Sequence, residues 1–253
     1  MVTHRALHVW RRNFSVYLTH YKPSLVGNIG EPLLYLFTMG MGLGGYMSGI
    51  GGMPYINYIA PGLIVTTAMY SAVFECTFGS FTRMTVQGTY ESIISTPVSL
   101  ADLVVGEIMW GMTKSMISAT VMVIVMTLFG LYAPGPGFLG IAVTVAFTGT
   151  LFAAAAICFS AISPSYDFFD YFFTLAVAPM FFLSGVFFPL DQFPDAVKWL
   201  SLTLPATHSV NLIRFFFHGS VGEGLVAAPV FLAAGALFFT WLAVRLVRKR
   251  IVV

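Results

Sequence analysis

Long apolar stretches recur along this chain of 253 residues, and each is long enough to cross the hydrocarbon core of a bilayer. A membrane-spanning helix needs ~20 mostly apolar residues, whereas a strand of a membrane barrel needs ~10 residues of alternating polarity. The stretches here are continuous, so the spans are predicted to be helical. Only 9% of the residues are Asp, Glu, Lys or Arg, against roughly 25% in soluble domains. The chain is therefore predicted to be an all-α integral membrane protein.

Proline and glycine divide the apolar sequence into about six predicted spans. The segment 191–224 is only partly apolar, and its two short amphipathic pieces favour a re-entrant element on the outward side. Gly42 and Gly44 in the first span are predicted to let helices approach closely. Residues 23–253 are thus predicted to form a single transmembrane domain. The predicted spans are residues 25–47, 56–81, 103–132, 138–162, 168–188 and 225–244.

The first 22 residues show helical periodicity but are too polar to span a bilayer. Apolar and aromatic residues recur at steps of three and four, and polar, partly basic residues occupy the other face. This pattern predicts an amphipathic helix in the membrane interface, with Arg5, Trp10, Arg11 and Arg12 as interfacial residues. A soluble helix docked on a partner is the alternative. The apolar members are Leu7, Trp10, Phe14, Tyr17 and Tyr21, and the polar members include Arg5, His8, Arg12, Ser15, Thr19 and Lys22.

Basic residues lie mainly at one set of span ends, and this asymmetry orients the chain. Cytoplasmic loops carry an excess of Lys and Arg. Both termini and the second and fourth connections are therefore predicted to be cytoplasmic, and the segment after the fifth span to face outward. The outward side holds only Lys198 and Arg214. The cytoplasmic side holds Arg5, Arg11, Arg12, Lys22, Arg83, Arg245, Arg248, Lys249 and Arg250.

Sequence signatures of catalysis and of ATP binding are missing from the chain. A Walker loop needs a lysine that follows glycine, so that backbone amides and the lysine cradle phosphate. Each of the lysines follows another residue type. His4 and His8 lie four residues apart beside Arg5 without a third ligand, so no metal site is predicted. The chain is expected to bind no cofactor and to depend on an external energy source or none.

The predicted connection 82–102 is the most informative polar segment. Thr89 is expected to cap a short helix over residues 90–94. Ser99 and Asp102 match a capping box that opens the next helix. A short helix held crosswise between two spans could transmit movement from a soluble partner to both of them. An ordinary interfacial linker is the alternative.

Charged residues within the predicted spans form a second candidate site. A charge in hydrocarbon is costly, so such residues usually pair or line a wet path. Lys114 could reach Glu107 two turns away, reach an acid of another helix, or snorkel, and Glu107 could also lie at the interface. Glu75 is expected to be the deepest acid. Together with Tyr70 and Phe74, these residues are predicted to line a translocation path or a subunit contact.

The outward segment provides a third candidate site. Its second amphipathic piece carries His208, Asn211 and Arg214, which are predicted to gate an exit. Aromatic residues crowd the neighbouring fifth span, where they favour lipid and interface contacts over packing on sugar rings. These aromatics are Phe168, Phe169, Tyr171, Phe172, Phe173, Phe181, Phe182, Phe187 and Phe188.

Three stretches of the sequence resemble the membrane subunits of type-2 ABC exporters. Residues 89–110, TYESIISTPVSLADLVVGEIMW, are similar to the coupling-helix region of the NodJ-like lipo-oligosaccharide export branch. Residues 165–175, SYDFFDYFFTL, resemble that branch's turn into the fifth span. Residues 180–194, MFFLSGVFFPLDQFP, and 204–214, LPATHSVNLIR, resemble the outer-loop signature of the wider family.

The resemblance implies a permease subunit that works as a homodimer with two copies of an ABC ATPase. ATP and Mg²⁺ would then be bound by the ATPase. The cargo would be a lipid-linked or amphiphilic saccharide that leaves across the bacterial inner membrane. A drug exporter is the alternative, and an ion-driven secondary carrier is a more distant one. Membrane lipid is an expected partner, and nucleic acid is not. The residues implied to contact the ATPase are Gln87, Thr89, Tyr90, Glu91, Ser92, Ile93, Ile94 and Ser95.

Overall fold

A computed structural model describes residues 2–46, 49–219 and 225–251 of the chain. These residues form helices and no β-strand, which confirms the all-α class. Among them, four helices are long and apolar enough to cross a membrane, and a shorter apolar helix covers Phe168–Leu183. The number of about six spans stays a prediction. The four long helices are Tyr55–Val86, Leu100–Leu128, Gly137–Ile162 and Ala228–Ile251.

Helix α1 extends over Ala6–Tyr35 and continues through wide turns at Leu36–Gly42 and a tight turn at Leu43–Gly45. The predicted interfacial helix and the start of the predicted first span therefore belong to one continuous helix. The division at residue 22 is one of composition, and the backbone has no break there. The side chain of Lys22, residues 47 and 48, and residues 220–224 lie outside the described residues.

The buried face of α1 differs from the predicted apolar face. Ala6, Val9 and Asn13 are buried, whereas Leu7 and Tyr21 are exposed. The cause is a close approach to another helix at Gly106, where an added Cβ would lie 2.6 Å from Val9 Cβ. Because this glycine lacks a side chain, the backbone of α1 can lie directly against it. Packing at that point, and not the hydropathy of α1, decides which face points inward.

Helix α2 begins as Tyr55–Phe74 and continues through wide turns at Glu75–Gly79 and Thr82–Val86. It therefore ends five residues later than the predicted limit at Phe81. The sequence analysis placed the polar end of this helix in the connection. It remains helical because the side chain of Arg83 forms ion pairs inside the protein, as described below.

Helix α3, Thr89–Ile94, follows a turn in which Gly88 has a φ of 59°. Thr89 is the first helical residue rather than the cap, which corrects the predicted start by one position. Helix α4, Leu100–Leu128, begins with the predicted capping box, in which the Ser99 side chain accepts from the Asp102 amide and the Asp102 side chain accepts from the Ser99 amide. The short helix is thus held between a left-handed glycine turn and a capped helix start.

The remaining helices complete one hydrophobic core around α2 and α4. They are α5, Gly137–Ile162; α6, Phe168–Phe172, which passes through a wide turn at Phe173–Val177 into α7, Ala178–Leu183; α8, Asp195–Leu202; α9, Pro205–His218; and α10, Ala228–Ile251.

Glycines allow close contact at positions other than those predicted in the first span. A Cβ at Gly42 would meet nothing within 4 Å, and one at Gly44 would make only an ordinary contact with Tyr55. The tight position is Gly40, where a Cβ would lie 2.7 Å from Ile56 Cγ1. The prediction for Gly42 and Gly44 is therefore wrong within this chain, because a side chain would fit at both positions, and the close approach to α2 occurs at Gly40.

Candidate functional site

Two acids and two bases meet between α2 and α4 and form what we call the buried charge cluster: Glu75, Arg83, Glu107 and Lys114. Arg83 lies at its centre, with Nη1 2.9 Å from Glu75 Oε1 and Nη2 2.7 Å from Glu107 Oε2. Lys114 Nζ lies 3.6 Å from Glu75 Oε2. The formal charges of the four residues cancel. Their ion pairs replace the hydrogen bonds to water that the charged groups lose on burial.

The spacing of residues on α2 positions half of this cluster. Glu75, Gly79 and Arg83 follow one another at steps of four, so they lie on one face of the helix. A Cβ at Gly79 would lie 2.8 Å from Glu75 Oε1 and 3.3 Å from Arg83 Nη1. The glycine therefore leaves the space through which the arginine reaches the glutamate.

Neutral donors complete the surroundings of Glu107, whose side chain is fully buried. Asn13 Nδ2 of α1 donates to Oε1 at 2.9 Å, and the Ser80 hydroxyl donates to Oε2 at 3.0 Å. A buried carboxylate is tolerated only when it is paired and hydrogen-bonded in this way. The cluster thus joins three helices, because α1 contributes Asn13 to an ion pair between α2 and α4.

The short helix α3 also contacts this region through Tyr90, which is almost completely buried. The Tyr90 phenol lies within the electrostatic range of Glu107 and Arg83 and within hydrogen-bonding reach of Ser80. Burial raises the pKa of the Tyr90 phenol well above its ordinary value, so the group stays neutral. An inner side chain of α3 is therefore packed against the charge cluster.

The predicted contact residues of α3 divide into two faces. Tyr90 is buried, and Thr89, Ile93 and Ile94 are partly buried, so Tyr90 cannot form part of an outer contact surface. The exposed members are Gln87, Glu91, Ser92 and Ser95.

Several predictions for the charged residues need correction or completion. Lys114 reaches the acid of another helix, Glu75, rather than Glu107 on its own helix. Glu107 is more completely enclosed by protein than Glu75, of whose side chain 15% is exposed, and the prediction that Glu75 is the acid deepest in the spans stays a prediction. Arg83 and Asn13 are residues of the site that the sequence patterns did not predict. The four-residue spacing of Glu75, Gly79 and Arg83 was a signal in the sequence that could have identified Arg83.

The two predicted aromatic residues lie beside the cluster in a row of stacked rings. The ring of Tyr70 stacks on Phe74 at 6.0 Å, Phe74 on Phe78 at 5.8 Å, and Phe78 on Tyr166 at 6.3 Å. Tyr70 and Phe74 thus share a helix with the charged residues but belong to a separate aromatic surface. Phe74 is 42% exposed.

A cavity of about 810 Å³, here called the α1–α2 cavity, opens next to the charge cluster. Its walls come from α1, α2, the turn before α3, and α4. It is lined by Arg12, Asn13, Val16, Tyr17, Glu75, Phe78, Gly79, Thr82, Arg83, Gln87, Thr89 and Trp110. Within the part of the chain that the structure describes, no three His, Cys, Asp or Glu side chains are grouped as metal ligands.

The predicted interfacial residues of α1 mostly contact protein. Arg5 donates to the Pro97 carbonyl oxygen after α3, and Trp10 Nε1 donates to Thr113 Oγ1 of α4 at 2.9 Å. Arg12 Nη2 donates to the neighbouring Asn13 at 2.8 Å. Arg11 is exposed. The beginning of α1 is therefore fastened to the turn after α3 and to α4.

The residues of the predicted outward gate lie on α9 and have separate neighbours. Arg214 donates to the Gly185 carbonyl oxygen and lies 4.1 Å over the Tyr58 ring, while the Tyr58 hydroxyl donates to the same carbonyl. His208 Nε2 lies 2.9 Å from the Leu202 carbonyl oxygen, and burial lowers the pKa of its imidazole. Asn211 is buried. These contacts anchor α9 to its surroundings, and a gating role for them stays a prediction.

Comparison with known proteins provides a second, independent line of information. Residues 5–218 match the family described as ABC-2 type transporter. The chain is 37% identical to nodulation protein J of Sinorhizobium fredii (strain NBRC 101917 / NGR234) over 243 residues, which cover 96% of this chain and 92% of that protein. It is 36% identical to nodulation protein J of Rhizobium meliloti (strain 1021) over 245 residues, with the same coverage. It is also 22% identical to the inner membrane transport permease YadH of Escherichia coli (strain K12) over 211 residues, 83% of this chain and 82% of that protein.

Proposed function

This chain belongs to the ABC-2 type transporter family, and on that premise we propose that it is the permease of an ATP-driven exporter whose cargo is a lipid-linked or amphiphilic saccharide. The similarity to nodulation protein J over nearly the whole chain supports the export branch. The apolar helices agree with a subunit that forms the membrane passage. In this proposal two copies of the chain form the passage in the bacterial inner membrane.

The ATPase partner docks on the exposed residues of α3 and its two flanks, which are Gln87, Glu91, Ser92 and Ser95. The observation that carries this assignment is the division of α3 into an exposed polar face and a buried face led by Tyr90. A docking helix must be exposed to its partner and yet rigidly joined to the spans that it moves. Both conditions are met by this helix. ATP and Mg²⁺ are bound by the partner.

Movement of α3 reaches the spans through the buried charge cluster. Tyr90 packs against the cluster, Arg83 and Glu75 belong to α2, and Glu107 belongs to α4. Separating the members of a buried ion pair is energetically costly. A displacement of α3 therefore moves α2 and α4 with it. The Asn13 bond to Glu107 includes α1 in the same unit.

A pair of matched charge reversals tests the docking surface. Glu91 lies in the first turn of α3, and Asp195 is an exposed acid in the first turn of α8, outside the docking surface. We expect Glu91→Arg to abolish co-purification of the ATPase and ATP-dependent export, while Asp195→Arg retains both. The assay is quantitative mass spectrometry of the tagged chain extracted gently from its host membrane, together with export of the co-purified glycolipid.

Three outcomes would contradict the proposal. Retention of the ATPase by Glu91→Arg would remove α3 as the docking helix. Absence of any ATPase from the intact, folded chain would favour an ion-driven carrier. Export of a drug with no saccharide cargo would leave the permease assignment in place and overturn the cargo.

A further inference from the structure

The α1–α2 cavity is lined by Arg12, a cation that forms no ion pair with any residue the structure describes. Arg83 is bound by Glu75 and Glu107, and Lys114 lies next to Glu75, so the four charges of the cluster cancel one another. Arg12 lines the same cavity, and among the described residues its guanidinium has no ion-pair partner. The cavity therefore carries a net positive charge at the position of Arg12.

The hydrogen bonds of Arg12 also favour an anionic ligand at this position. Its Nη2 donates to the Asn13 amide oxygen, and its buried Nε has no acceptor among the residues that the structure describes. Asn13 in turn donates to Glu107, so its amide is fully engaged between the two charged groups. Buried polar groups in proteins nearly always have partners, so the unpaired Nε leaves this guanidinium with a donor that a bound acceptor can use. A guanidinium pairs best with phosphate and other oxyanions, through two parallel bonds.

The walls of the cavity suit a ligand that also has an apolar part. Val16 lines the cavity and is 59% exposed, so an apolar side chain borders its opening. The lining also includes Gln87, which is exposed, and Thr89, which is half-buried, and both provide neutral hydrogen-bonding groups. The lining thus combines apolar and polar side chains, which suits a ligand with both an apolar and a polar part.

We propose that the α1–α2 cavity binds the anionic headgroup of a membrane amphiphile, with the Arg12 guanidinium as its principal ligand. The site belongs to a single subunit and lies beside the charge cluster, so a bound headgroup contacts α1, α2 and the turn before α3 together. The amphiphile is either an acidic phospholipid of the bilayer or an anionic form of the exported cargo. Only the second source rests on the proposed function.

Binding is measured on the purified full chain in neutral detergent, without the ATPase, by titration with a short-chain fluorescent phosphatidylglycerol. Phosphatidylcholine with the same acyl chains is the zwitterionic reference. Arg12→Gln removes the charge inside the cavity, and Arg11→Gln removes the same charge from the exposed neighbouring position. Both variants leave the cluster residues unchanged.

We expect Arg12→Gln to weaken phosphatidylglycerol binding by about tenfold or more, as for the loss of a charge-assisted bidentate bond. Arg11→Gln should change it by less than about threefold, as for an exposed charge. Arg12→Lys should be intermediate, because lysine keeps the charge and loses the fork of donors. Equal weakening by both glutamine variants would mean general surface attraction and overturn the site, as would unchanged binding in Arg12→Gln.

Competition separates the two sources of the headgroup. Glycolipid extracted from the host membrane should displace phosphatidylglycerol in the wild type if the cargo uses the site, and this displacement should be lost in Arg12→Gln. Displacement by acidic phospholipid alone supports the site as a bilayer-lipid site. Because the assay omits the ATPase and transport, a failure of the proposed export function leaves its result unchanged.

Discussion

Removal of Arg83 should destabilise the protein strongly, because it leaves two acids without their shared partner. Arg83→Met keeps much of the aliphatic volume and removes the bonds to Glu75 and Glu107. Glu107 is fully buried, so Asn13 and Ser80 alone would have to stabilise its charge. Breaking a buried pair in this way costs ~3–5 kcal/mol. For a chain of this length that corresponds to a decrease of about 6–20 °C in the unfolding temperature.

The loss of Arg83 should destabilise the Glu75 carboxylate less than the Glu107 carboxylate. Glu75 keeps Lys114 at 3.6 Å, and 15% of its side chain is exposed. The main loss therefore comes from Glu107. The double variant Arg83→Met with Glu107→Gln removes both members of the deepest pair, and the amide can still accept from Asn13 or Ser80. We expect it to recover more than half of the stability lost in the single variant.

Thermal unfolding in a neutral detergent, followed by intrinsic fluorescence, measures both effects. Arg248→Met is the matched control, since Arg248 is an exposed arginine of α10 outside the cluster, and such a change usually shifts stability by about 0.5 kcal/mol or less. An Arg83→Met variant as stable as this control would refute the reasoning. So would a double variant less stable than Arg83→Met alone.

Two further substitutions test features that hold the site together. Gly79→Ala places a Cβ 2.8 Å from Glu75 Oε1 and should lower the free energy of unfolding by about 1–3 kcal/mol. The control Gly42→Ala, whose Cβ would have nothing within 4 Å, should cause no packing loss. Similar shifts of the unfolding temperature in the two variants would contradict the role of Gly79. Ser99→Ala removes the side chain that accepts from the Asp102 amide and should lower the free energy of unfolding by ~1 kcal/mol. Thermal unfolding measures this loss, and proteolysis after α3 should become faster. Unchanged values would show that the cap does not hold the start of α4.

Local features were the most predictable part of this protein. The membrane class follows from the average polarity of ~20-residue windows, and the Ser99–Asp102 capping box follows from two residues three positions apart. The short helix before it was predicted to within one residue at its start. Such features depend on residues within a turn or two along the chain, so they can be predicted from the sequence alone.

The end of α2 shows where local reasoning failed. A window that contains Arg83 is polar, so the predicted span stopped before it, and the arginine was counted as a surface residue. Its charge is instead neutralised inside the protein by acids 8 and 24 positions away. Hydropathy treats each residue as facing lipid or water and cannot represent a charge that faces another charge.

The amino-acid sequence by itself determined a helical membrane protein with a short helix between two spans and a capping box at the start of the next helix, because hydrophobicity and capping act over short distances. Only the tertiary structure decided which charges pair and which face of α1 is buried. Asn13 and Glu107 meet across 94 positions, and the α1 contact depends on the missing side chain of Gly106. Ion pairing and close packing join residues that are distant along the chain, so the buried charge cluster exists only once the helices have come together.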